Sequence, residues 1–79
     1  MREKMYIKPE YIKQMEEYDI SNLDQAFREA VKEYLYWCKD GDVMEIKDAH
    51  TIVNSEINCM QWDGLISLSK ADELRGIFL

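Results

Sequence analysis

The stretch from Ser21 to Asp42, SNLDQAFREAVKEYLYWCKDGD, constrains this chain most. Leu23, Phe27, Ala30, Val31, Tyr34, Leu35 and Cys38 recur at the spacing that aligns side chains on one face of an α-helix. Ser21 or Asn22 can cap the start, since each offers a side-chain acceptor to the free N–H groups of a first turn. Gly41 is a natural stop. Such a helix is held mainly by covering its apolar stripe, so the rest of the chain, or a partner, must supply that cover.

The flanking sequence offers further helices. Upstream, Pro9 suits a first helical position, because its fixed φ fits the turn and its missing N–H is no loss there. Tyr11, Ile12, Met15 and Tyr18 then form a stripe that ends near Asp19. Downstream, Asp42 and Glu45 have capping-box spacing, and Ile46, Ala49, Val53, Ile57 and Met60 follow as a third stripe. A strand over Val43 to Ile46 with a helix from Asp48 is the competing reading; the continuous helix is preferred. Asp63-Gly64 closes it. The run LISL is short, apolar and bounded by turn residues, which suits an extended segment. Ser69 with Asp72 would open a terminal helix carrying Leu74, Ile77 and Phe78. At the front, residues 3–7 alternate: Met5 and Ile7 face one way, Lys4 and Tyr6 the other, as in a short strand. The fold expected is mainly α, a short N-terminal strand followed by three to four helices.

A chain of 79 residues makes one domain and buries only about 60% of its unfolded surface. Small domains compensate with disulfides, metals or partners. Cys38 and Cys59 are too few for a disulfide scaffold and read as free thiols in a reducing cytoplasm. His50 is the single histidine, and the spacings fit no zinc finger, so no metal is expected. A homodimer or a partner protein is left to complete the core. No apolar run reaches membrane-spanning length and no signal peptide is evident, so a cytoplasmic protein with no membrane partner is expected.

Charge is unevenly spread within the net −6. Residues 1–8 carry Arg2, Lys4 and Lys8 against Glu3, whereas residues 40–63 carry six acids against Lys47. That asymmetry suggests separate surfaces with separate partners. Asp42, Glu45 and Asp48 could face a basic protein, or serve as caps and a solvated face. Tyr36 and Trp37 lie partly off the helical stripe and suit an interface, unless the third helix covers them. Catalysis has no support: His50 lacks a nucleophile in any activating pattern, and Gly41, Gly64 and Gly76 build no phosphate-cradling loop. No enzyme activity and no cofactor are expected.

The order strand, Pro-Glu, short helix, polar turn, longer helix resembles the N-terminal half of ribbon-helix-helix DNA-binding proteins of the MetJ/Arc type. The resemblance covers KMYIKPEYIKQMEEYDISNLDQAFREAVKEYL, residues 4–35. It implies that two chains pair their leading strands into a ribbon that enters the major groove. Arg2, Lys4 and Tyr6 would then read base edges, and the helix start at Ser21 and Asn22 would hold a phosphate. Residues 1–40 become a dimerisation and DNA-binding half, and residues 41–79 a helical extension for dimer support or partner binding, within one compact domain. The function implied is a small dimeric transcriptional regulator of an antitoxin-like kind, whose extension would silence a toxin. The alternative, read from the acidic middle, is a phage- or plasmid-encoded inhibitor of the anti-CRISPR or other anti-defence type. It would block a nucleic-acid-handling host enzyme.

Overall fold

A computed structural model describes residues 3–79, and they are mainly helical: α1 Pro9–Glu17, α2 Gln25–Asp40, α3 Val43–Trp62 and α4 Leu68–Phe78. Pro9 opens α1 as its ring geometry requires. The strongest stripe lies in α2, where Phe27, Ala30, Val31, Tyr34 and Cys38 are buried while Leu23 and Leu35 pack at its margin. The continuous-helix reading holds for α3. Asp42 caps it by accepting from Glu45 N at 3.2 Å, and Ile46, Ala49, Val53, Ile57 and Met60 are all buried. These residues and Ala71, Leu74 and Phe78 of α4 share one core, with the Phe27 and Phe78 rings edge to face at 5.8 Å. That core runs across the expected boundary at residues 40 and 41.

Two helix starts differ from expectation. Asp24, rather than Ser21 or Asn22, caps α2, its carboxylate accepting from Ala26 N at 3.1 Å. Ser21 is already engaged, since its N–H and hydroxyl both donate to Asp19 Oδ1 at 2.9 and 2.6 Å. Likewise Ser67, rather than Ser69, caps α4 by accepting from Lys70 N at 3.0 Å. The run LISL is therefore split: Leu65 and Ile66 finish a turn, and Leu68 is helical. The inner face of the helix is formed by Ala71, Leu74 and Phe78.

The expected N-terminal strand is replaced by an extended strap. Residues 3–7 make one antiparallel bridge, Lys4 with Asp42, and no sheet forms among the described residues. Met5 N donates to Gly41 O at 2.7 Å, and Val43 N donates to Glu3 O at 3.2 Å. The reason is geometric. Only Gly41 and Asp42 separate α2 from α3, so the link offers too little extended backbone for a ladder. The expected alternation of faces survives only in part: Ile7 packs against the core and Tyr6 is 79% exposed, but Met5, expected to face inward with Ile7, is itself exposed.

Candidate functional site

Two surfaces carry features beyond folding. The first is the strap and the α2–α3 link beneath it. Gly41 ends α2 with φ 89°, the left-handed conformation that glycine adopts without steric cost, and its N–H donates to Trp37 O at 2.7 Å. A β-carbon there would also stand 2.8 Å from Met5 O. Glycine is thus required twice, by the turn and by the closeness of the strap. Lys4 Nζ completes the attachment with a 2.9 Å ion pair to Asp40 Oδ2. Both groups are partly solvated, so the pair contributes only about 0–1 kcal/mol.

Cavities open on either side of the strap. One, about 670 Å³, lies toward α1 and the end of α2 and is lined by Ile12, Glu16, Cys38 and Asp40. The other, about 500 Å³, lies toward Tyr34, Ile46, Lys47 and His50. Met5 and Ile7 border both. Burial pushes the Tyr34 hydroxyl up to about 12, with Cys38 beside it adding to the shift. Burial also raises the Cys38 thiol, offset in part by its hydrogen bond with Tyr34. A thiol so placed is less nucleophilic than a free one. The His50 ring meets Tyr34 at 5.9 Å, which makes it a packing partner on this wall. Among the described residues, no group of three or more His, Cys, Asp or Glu converges as metal ligands would.

The second surface is the outer face of α3. The inner face of that helix fills the core, yet Met44, Asp48, Ile52, Ser55, Cys59 and Trp62 recur at helical spacing on the opposite side, all exposed. Met44 is 65% exposed, Ile52 48% and Trp62 87%. Among the described residues Glu45, Asp48 and Glu56 have no ion pair. This helix is therefore apolar inward, and mixed apolar and acidic outward. Its outer stripe was legible as the complement of the buried one, since Met44 and Trp62 lie opposite Val53 on a helical wheel and Ile52 falls on the flank between them and the core face.

The residues expected to bind DNA do not gather. Arg2 lies outside the described residues. Lys4 is held by Asp40 at the C-terminal end of α2, and Tyr6 projects beside it. Ser21 and Asn22 precede the N-terminal end of the same helix, whose 16 residues span about 24 Å. Asp24 and Asp19 carboxylates already occupy N–H groups there. Asp19 is held below the usual carboxylate range, chiefly by its hydrogen bonds from Ser21. A phosphate at this turn would meet two negative charges.

The residues expected at a protein interface divide as well. Asp42 is only 2% exposed and serves as the α3 cap, so it belongs to the fold rather than to an open surface. Glu45 is half-buried and Asp48 exposed. Tyr36 stays exposed while Trp37 packs partly against the core, their rings edge to face at 4.9 Å. Asp40 was missed as a site residue: its role depends on Lys4, 36 positions away, and no local pattern signals that pairing.

Comparison with protein-family models, curated proteins and solved structures returns no match. No helix among the described residues is long and apolar enough to cross a membrane.

Proposed function

We propose that the protein acts by stoichiometric binding, with the outer face of α3 as an acidic and apolar surface for a basic protein partner. The observation that carries this reading is the two-sidedness of α3. Met44, Ile52 and Trp62 stay in water although the core is already filled by the other face; Asp48, exposed and without an ion pair, stands among them, and half-buried Glu45 and Glu56 flank them. Methionine and tryptophan are enriched at interfaces, and complementary charge accelerates and orients encounter. A partner that handles nucleic acid has the basic channel such a surface would cover, which is how an acidic inhibitor works.

The test is affinity capture from nuclease-treated host extract, wild type beside an Asp48→Lys, Trp62→Ser double variant. A basic protein retained by the wild type and lost by the double variant supports the reading. Capture unaffected by the variant, or dependent on nucleic acid, contradicts it.

The ribbon-helix-helix regulator is a second reading, favoured by the order of an extended segment, a proline-led helix and a longer helix. It requires the strap to leave Gly41 and Asp40 and pair with that of a second copy. Retardation of the promoter fragment upstream of its own gene, weakened by Lys4→Ala and by salt, would support it.

A further inference from the structure

The strap sits in its groove like an undersized ligand. Among the described residues its attachments are two backbone hydrogen bonds with the α2–α3 link, the packing of Ile7 against the core, and Lys4 Nζ, which makes a partly solvated ion pair with Asp40 and reaches the Asp40 carbonyl at 3.5 Å. Met5, which borders both cavities, is 40% exposed. Each space, about 670 and 500 Å³, falls in the range of a small-ligand pocket and remains beside the strap rather than filled by it. The groove itself has the parts that bind extended chain: a carbonyl on Gly41, an N–H on Val43, and a cavity on each side for alternate side chains. Its charge is also specific. Glu16 is matched by Lys39 at 2.8 Å, so Asp40 is the carboxylate offered when Lys4 departs. On the opposite wall, Tyr34, Lys47 and His50 suit aromatic rings.

From these features we infer that the groove receives an extended segment of a partner protein, in which a cation is followed by large aromatic side chains at alternate positions. Residues 3–7 occupy it in cis until that segment displaces them. The inference rests on the reading of the protein as a module for a basic partner, and adds where one segment of that partner lies. Self-occupation lowers apparent affinity by the fraction of molecules with the groove open. The strap thereby sets a threshold against weak ligands.

The test uses the full-length protein and a labelled, acetylated peptide, Glu-Lys-Phe-Tyr-Phe-Lys, which is the strap sequence with phenylalanine in place of Met5 and Ile7. Fluorescence polarisation should show binding to the wild type, and about tenfold tighter binding to Met5→Pro, which lacks the N–H given to Gly41. Lys4→Glu replaces the attraction to Asp40 with repulsion while leaving the strap backbone free to bond, and should tighten binding in the same direction, a check that stands if Met5→Pro fails to fold. Asp40→Lys should abolish binding, and the amide shifts should centre on Gly41 and Val43. The inference is overturned by absence of binding to the wild type, Met5→Pro and Lys4→Glu alike. Shifts confined to the outer face of α3, or exchange of straps between two copies that the peptide cannot enter, overturn it too. Because the α3 face is probed separately by Asp48→Lys and Trp62→Ser, partner capture that survives without peptide binding would sink the groove alone. Peptide binding without α3-dependent capture would sink the α3 reading alone.

Discussion

Helices α1 and α2 both present a clear apolar stripe, yet α2 contributes five buried residues to the core and α1 contributes one, Met15. The difference is one of surroundings. α2 is covered by α3 along its length, whereas α1 lies at the margin, where Ile12 and Tyr18 are half-buried and Tyr11 stays exposed. Polar contacts hold α1 in place instead. Lys39 bonds Glu16 at 2.8 Å, and the Tyr18 hydroxyl donates to Glu73 Oε2 while accepting from Lys70 Nζ at 2.6 Å. The strap extends this contrast, since backbone bonds to Gly41 and Val43 secure it more than buried area does. Periodicity thus tells which side chains turn inward, but not how much protein awaits them there.

The contrast can be broken first at its strongest point. Phe27→Ala should cost about 3–5 kcal/mol and lower the denaturant midpoint of the whole chain, because Phe27 is fully buried and its ring meets Phe78 of α4 edge to face. Met15→Ala should cost about 2 kcal/mol, the low end for such truncations, with faster amide exchange confined to α1. Equal global losses from the two would mean that α1 belongs to the main core.

Gly41→Ala should cost about 1–3 kcal/mol through its positive φ, and should also release the strap, because its β-carbon meets Met5 O. Loss of stability without loss of protection at the Met5 amide would separate the two roles. Acid should loosen α1 in a graded way. Glu73 is held below the usual carboxylate range by the Tyr18 hydrogen bond first and Lys70 second, so its contribution is full above the ordinary glutamate pKa. That contribution fades as pH falls below about 4 and through the lowered value. Lys70 is raised, chiefly by Tyr18, so its share is full below the ordinary lysine pKa and is lost only when alkaline pH passes the raised value. Amide spectra of α1 against α3 along a pH series check both directions, and Tyr18→Phe should flatten the response. The smallest effect is expected from Lys4→Ala, at most about 1 kcal/mol.

Much of this architecture was legible because a single physical signal wrote it. The 3.6-residue period identified all five buried positions of α2 and all five of α3, and Pro9, Asp42, Gly41 and the Asp63-Gly64 pair marked boundaries by their backbone chemistry. The α2 and α4 starts were misplaced where equivalent caps compete. Ser21, Asn22 and Asp24 can each accept from a free N–H, and the choice of Asp24 follows from Asp19 having taken Ser21. The strap was misassigned for a different reason. Alternation in residues 3–7 correctly turns Ile7 toward the body and Tyr6 away, though Met5 stays exposed, and whether extended chain becomes a strand depends on its partner, which is a two-residue link far along the sequence. Lys4 and Asp40 are separately unremarkable, and only the tertiary fold brings them together.

The claim beneath all of this is that the leading segment docks on its own chain, leaving the acidic face of α3 as the open surface. Isotope-filtered NOE spectroscopy on an equimolar mixture of labelled and unlabelled protein addresses it. Contacts of Lys4 and Met5 with Gly41 and Asp42 should appear only within a chain. Cross-chain contacts from one Met5 to another, the signature of a two-chain ribbon, would contradict it.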